Sequence, residues 1–296
     1  MVKTDTCSCI YVCYLQEGYK TVTQEFRSHY RCPQKSITAS VLTKRWSKQS
    51  RPVVCSAVQQ LNVQPDDSVL EIGYGRGDGI EMLLDKLQDG VGAAYGLELS
   101  PYMNAVASNR FLLEMGDEDQ KVFLDHANNV LVLLPYPTGL FDGIYHVDVF
   151  YFWRNSQIKE IVEELWRVLK PGKQLVCGME LSRLKKLEEQ NILGPLEADP
   201  LRYLEHLEPA GFTDVKVIYR KIDSSGNETN MPGSREIQLI VARKPEPEDD
   251  EDPDVIFQNL REDILEDLVE HSISKSNQAQ PKHVRKSTSK ENLEIL

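Results

Sequence analysis

Apolar positions along the chain follow two alternating rhythms. Residues 68–72, Ser-Val-Leu-Glu-Ile, form a short apolar run that ends at glycines, and similar runs lie at 92–97, 121–124, 141–147, 174–177, 215–219 and 237–242. Short apolar runs bounded by turn residues predict strands. Between them the apolar residues recur every three or four positions. Segments 80–87, 102–115, 158–169 and 201–207 therefore predict helices, the third with Ile161, Val162, Leu165, Val168 and Leu169 along one side. A leading helix is predicted within 36–61, anchored by Val41, Leu42, Val54, Val58 and Leu61, with Pro52 as a helix start. Strand and helix taking turns implies crossover connections, hence an α/β domain with a mostly parallel sheet.

The rhythm fails at both ends. Residues 1–35 show no periodicity and predict an irregular arm, which leaves 36–244 for the folded domain. From residue 245 the chain turns to Pro-Glu-Pro-Glu-Asp-Asp-Glu-Asp-Pro-Asp, which cannot bury a core and predicts disorder. Beyond it, Ile256, Phe257, Leu260, Ile264, Leu265, Leu268 and Val269 fall at helical spacing. They predict an amphipathic helix over 255–270 that folds back on the domain or docks a protein partner.

Charge sharpens this division. The chain carries a net charge of -12, and 14 acidic against 6 basic residues lie in 245–296. The body is then only mildly acidic, without the global field that draws nucleic acid. No apolar run is long enough to span a membrane. Cys7, Cys9 and Cys13 have no partner pair at zinc-site spacing, so no metal is expected. With no signal peptide, the six cysteines read as reduced thiols of a cytoplasmic protein.

The chemistry lies in Val69-Leu70-Glu71-Ile72-Gly73-Tyr74-Gly75-Arg76-Gly77-Asp78-Gly79. A strand enters a glycine-rich loop that opens a helix, where a ligand can approach the backbone without meeting a Cβ. A dinucleotide fingerprint needs a gapped G-x-G-x-x-G/A, and the third position is Asp78 counted from Gly73 and Ile80 counted from Gly75. A phosphate loop needs Gly-Lys-Ser/Thr, which does not follow. What remains is Glu-x-Gly-x-Gly-x-Gly. The next strand ends in Gly96-Leu97-Glu98-Leu99-Ser100, and a carboxylate at that tip is placed to accept ribose hydroxyls.

Four blocks in order resemble the class I S-adenosylmethionine-dependent methyltransferases, in particular the small-molecule branch that includes the ubiquinone-biosynthesis type. They are the glycine block at 69–77, Gly-Leu-Glu-Leu-Ser-x-x-Met at 96–103, Leu-Pro-Tyr-Pro-x-x-Leu-Phe-Asp at 134–142, and Arg-Val-Leu-Lys-Pro-Gly at 167–172. The resemblance covers roughly residues 50 to 180. It implies a Rossmann-like seven-stranded sheet with helices on both faces and the last strand antiparallel. It implies S-adenosylmethionine as cofactor, with Glu71, Gly73, Gly75 and Gly77 at its amino-acid end and Leu99 and Met103 flanking the adenine. Asp125, with His126 beside it, is then the residue expected to take the adenine amino group, although the spacing to Leu134 is longer than the family's. Asn128 or Asn129 are the alternatives.

The acceptor is expected beyond the fourth strand, in Tyr145-His146-Val147-Asp148-Val149-Phe150-Tyr151-Phe152-Trp153. If the strand continues to 148, His146 and Asp148 share a face, His146 as general base and Asp148 as its orienting partner. The competing reading is a core histidine with a satisfied carboxylate. Tyr151 and Trp153 either wall the acceptor pocket or pack as core. The nucleic-acid amino-methylating signature Asn/Asp-Pro-Pro-Tyr/Phe is absent, and so is any cysteine between Cys55 and Cys177, which turns the expectation toward a small-molecule acceptor. The alternative is a methyltransferase-like protein that binds the cofactor and acts as an adaptor through its tail.

Overall fold

The structure, a computed structural model, describes residues 28–116, 119–127, 131–194, 196–246 and Arg261. The N-terminal cysteines, Asn128, Asn129 and the amphipathic segment expected at 255–270 lie outside the described residues, Arg261 apart. The chain divides into two compact units at Glu246 and Pro247.

The first unit runs α1 (Ile37–Leu61), β1 (Ser68–Ile72), α2 (Asp78–Leu87), β2 (Ala93–Glu98), α3 (Pro101–Arg110), β3 (Val122–His126) and β4 (Phe141–Val147). It continues through a 3-10 turn (Phe150–Phe152), α4 (Asn155–Val168), β5 (Leu169–Glu180), α5 (Leu181–Glu189), α6 (Leu201–Leu207), β6 (Thr213–Ile222) and β7 (Arg235–Arg243). Seven strands form one sheet in the order β3-β2-β1-β4-β5-β7-β6. The first five are parallel to their neighbours, and β7 inserts antiparallel between β5 and β6. This is the Rossmann-like arrangement implied by the four sequence blocks.

Period-two alternation sends successive side chains of each strand to opposite faces, and two apolar cores result. On one, Val69, Ala94, Tyr145 and Val147 pack with Val54, Val58, Ile80 and Leu83 of α1 and α2. On the other, Leu70, Ile72 and Ile144 pack with Ile158, Val162 and Leu165 of α4 and Tyr203 of α6.

Three elements depart from the sequence pattern. Pro52 does not start a helix but lies inside α1, which begins at Ile37 behind Ser36, whose hydroxyl accepts the Ala39 N–H at 3.0 Å. A proline in a helix interior removes one backbone hydrogen bond, and here Pro52, Val53, Ala57 and Val58 bury the C-terminal half of α1 against the sheet. The strand β5 begins at Leu169, earlier than its apolar run, because Leu169 pairs with Phe141 of β4 across an irregularity that precedes the Gly143–Gln174 pair. The helix α5 follows a pattern too polar to read, with only Leu184 and Leu187 buried. No helix among the described residues is long and apolar enough to cross a membrane, and no cluster of three or more potential metal ligands occurs among them.

Candidate active site

The carboxyl ends of β1, β2 and β4 open into one cleft, at the point where the strand order reverses direction. Crevices at such switch points are where open α/β sheets bind ligands. The cleft is lined by the glycine loop, Glu98, Leu99, Met103, Asp148, Trp153 and the inner side of α1, among others.

The loop after β1 is a compact turn in which the Gly77 N–H bonds the Tyr74 carbonyl at 2.8 Å. Its glycines serve different ends. A Cβ on Gly77 would lie 2.5 Å from the Phe111 ring, so this glycine makes room for protein. Gly75, with φ +52°, has nothing within 4 Å of the place its Cβ would take and leaves the loop open to the cleft. Gly96, one strand over, makes room for the Tyr74 ring, which a Cβ there would meet at 2.4 Å.

Glu98 ties the two strand ends together. One carboxylate oxygen accepts the Gly75 N–H at 3.0 Å and the other accepts the Ser100 N–H at 2.8 Å. Burial raises its pKa, against the pull of these backbone N–H groups. Each oxygen keeps further acceptor capacity, and the residue lines the cleft. Ser100 caps α3, accepting the Met103 N–H at 3.1 Å, which fixes Met103 on the cleft wall.

Glu71 sits deeper, at the cleft floor behind Gly79. Burial pushes its carboxyl up to about 8, so it is protonated at neutral pH. A Cβ on Gly79 would lie within 2.4 Å of both Glu71 oxygens, which is why glycine opens α2 there. The Glu71 Oε2 and the Tyr145 hydroxyl, both buried, have no hydrogen bond of good geometry.

The opposite wall comes largely from residues the motifs did not mark. Tyr30 stacks on Trp46 with ring centroids 3.7 Å apart, and both face the cleft with Ser50, Val54, Phe152 and Gln157. Nothing in the sequence around Tyr30 or Trp46 announced this, since their place depends on how α1 crosses the strand ends.

The expected pairing of His146 with Asp148 does not form. β4 ends at Val147, and Asp148 turns into a left-handed conformation with φ +60°. His146 faces the other core, fully buried, with its Nε2 3.0 Å from the Tyr203 hydroxyl. Burial pushes its imidazole down to about 3. Asp148 faces the cleft, where it accepts hydrogen bonds from Ser50 Oγ at 2.7 Å, Arg183 Nη1 at 2.5 Å and Tyr151 Oη at 2.9 Å. Arg183 also bonds Ser50 Oγ. Tyr151 is thus spent on Asp148 and lies behind the wall, while Phe152 and Trp153 border the cleft.

At the far end of the sheet, Asp125 accepts the Tyr136 hydroxyl at 2.8 Å and does not border the cleft. His126 is exposed, with Nε2 3.2 Å from the Leu99 carbonyl. β3 is the edge strand of the sheet, and both residues stand apart from the glycine loop and outside the cleft lining.

A family model described as a methyltransferase domain matches residues 70–177, which span β1 to β5. The uncharacterized methyltransferase YdaC of Bacillus subtilis is 24% identical over 165 residues, 56% of this chain and 82% of that protein. A demethylmenaquinone methyltransferase of Symbiobacterium thermophilum is 30% identical over 135 residues, 45% of this chain and 49% of that protein. The chain thus spans about half the length of that relative. Among solved structures, a chain from the complex between the Haloferax volcanii Trm112 methyltransferase activator and its methyltransferase shares the fold. Its TM-score is 0.53 at 18% identity, covering 70% of this chain and 95% of that one.

Proposed function

We propose that this chain, whose residues 70–177 match a methyltransferase domain, is a class I S-adenosylmethionine-dependent methyltransferase that transfers the methyl group to a small organic acceptor held against the Tyr30–Trp46 wall. The observation that carries this reading is a single cleft with two differently built ends. One end is the glycine loop with Glu98, and the other is aromatic and lies across from it. A ligand-sized site of this kind, mostly apolar with a few fixed polar groups, suits a small molecule.

The residues present fit the cofactor. Glu98 offers acceptor capacity to two hydroxyls, Gly75 leaves open approach to backbone, and Leu99 and Met103 supply apolar walls. Glu71, Gly73 and Gly77 shape the loop beneath. When bound, S-adenosylmethionine supplies an electrophilic methyl on a sulfonium sulfur. The protein's part is to hold the acceptor in line with that methyl and keep water out, which supplies several kcal/mol without covalent catalysis. Tyr30, Trp46, Phe152 and Trp153 do the enclosing. Asp148 and Ser50 are the polar groups at the acceptor end, and Arg183 fixes their orientation. His146 takes no proton from the acceptor, because it points into the opposite core.

Two variants test the division of labour. Glu98→Ala raises the cofactor Kd with little change in the acceptor KM. Trp46→Ala raises the acceptor KM and leaves the cofactor Kd near its starting value. Calorimetry with S-adenosylmethionine and S-adenosylhomocysteine, and transfer of a labelled methyl group to a panel of small aromatic and amine acceptors, read the two. Cofactor binding without transfer to any small acceptor would overturn the acceptor class.

A further inference from the structure

Residues 28–65 carry six basic side chains, Arg31, Lys35, Lys44, Arg45, Lys48 and Arg51, and no acidic one, in a chain whose net charge is -12. This stretch contains the whole of α1 and the segment before it. Arg51 is engaged by Glu81 at 2.7 Å and Asp78 at 3.5 Å. The other five make no ion pair among the described residues.

The helix is two-sided in its first half. Its inner side, Thr43, Trp46, Ser47 and Ser50, lines the cleft. Its outer side carries Ile37, Val41, Lys44, Arg45 and Lys48, all exposed, at the three- and four-residue spacing that puts them on one stripe. Ile37 is 87% exposed and Val41 63%. Two aliphatic side chains left in water at one end of a basic stripe are unlike the usual solvated helix face, where polar residues continue to the helix end.

We propose that this outer stripe of α1 docks the protein on an anionic lipid surface, with Ile37 and Val41 entering the headgroup boundary and Lys44, Arg45 and Lys48 meeting lipid phosphates and carboxylates. A basic amphipathic helix lying in the interface plane binds in this way. Lipid accounts for both parts of the stripe. A polyanion such as RNA would use the charges and gain nothing from the aliphatic pair. Docking by this side sets the cleft wall one helix thickness from the bilayer, so an amphiphilic acceptor has a short path from membrane to cleft. The inference concerns binding and stands apart from the acceptor assignment, since it is read without turnover.

The test is flotation of the full chain with two kinds of vesicle, phosphatidylcholine alone and phosphatidylcholine with about one-third phosphatidylserine. Binding is expected only to the second, and raising the salt concentration should release it. Each basic charge near such a surface changes partitioning about fivefold, so Lys44→Gln with Lys48→Gln should lower it about 25-fold. Ile37→Ser with Val41→Ser should lower it several-fold at unchanged charge. All four positions are exposed, and unchanged melting curves would confirm that each variant folds. Failure to float with phosphatidylserine vesicles overturns the proposal. So does equal binding by the lysine variants, or tighter binding to duplex RNA that the Ile37/Val41 variant retains in full.

Discussion

The N–H of Gly75 donates to the Glu98 carboxylate at 3.0 Å, joining the glycine loop to the tip of the neighbouring strand. Two motifs separated by 23 residues of chain are thereby one unit. The carboxylate that faces the cleft also holds the loop that frames it.

Glu98→Ala should therefore weaken S-adenosylmethionine binding by about 1.5–3 kcal/mol, or roughly 10- to 100-fold. Glu98→Gln keeps one acceptor oxygen and should fall between wild type and alanine. Titration calorimetry separates the three. An alanine variant with unchanged affinity would remove Glu98 from the ligand site.

Glu71 gives the pH dependence of stability one sign. Its folded pKa of about 8 lies above the ordinary carboxylate value, because burial disfavours the charged form. Between those two values the native chain holds a proton that the unfolded chain has lost, so stability falls as pH rises from about 5 to 8. One pKa unit is worth about 1.4 kcal/mol, and the whole window amounts to a few kcal/mol. Glu71→Gln should flatten this slope in denaturant melts taken across the window. A slope that persists in the variant would place its origin elsewhere.

His146 gives the opposite sign on the acid side. Burial holds its imidazole at about 3, below the unfolded value, so stability is full above about 6.5 and falls as pH drops toward 3. Tyr203→Phe leaves the buried Nε2 without its partner and should cost about 1–3 kcal/mol. His146→Gln should lower the melting temperature while kcat with any accepted substrate stays within a few-fold of wild type. A kcat loss of a hundredfold or more at normal melting would restore the general-base role.

Arg183→Ala strands the Asp148 carboxylate in a largely buried place. Breaking such a pair from one side costs about 3–5 kcal/mol, a fall in melting temperature on the order of 10 °C. Asp148→Ala in the same background should recover part of it, since the uncompensated charge is then gone. A double variant no more stable than Arg183→Ala alone would show that the pair contributes packing rather than charge balance. In either variant, acceptor KM should rise while cofactor Kd stays near wild type.

Much of the architecture follows from the sequence because it rests on local rules. Short apolar runs mark the strands, a repeat of three to four positions marks the helices other than α5, and the alternating glycines after Ile72 mark the loop. Glu98 is legible too, because a strand end and its next residues stay together whatever the rest does. The sequence alone thus determines the parallel α/β order and the cofactor end of the cleft as an expectation. Only the tertiary structure decides the rest. His146 and Asp148 are two residues apart, yet a strand that ends at Val147 and a φ of +60° at Asp148 send one into a core and the other to the cleft. Tyr30 and Trp46 become a wall because α1 crosses the strand ends, and Asp125 falls outside the cleft because β3 is the edge strand. Those outcomes depend on which elements pack together across long stretches of chain, and local pattern carries no information about that.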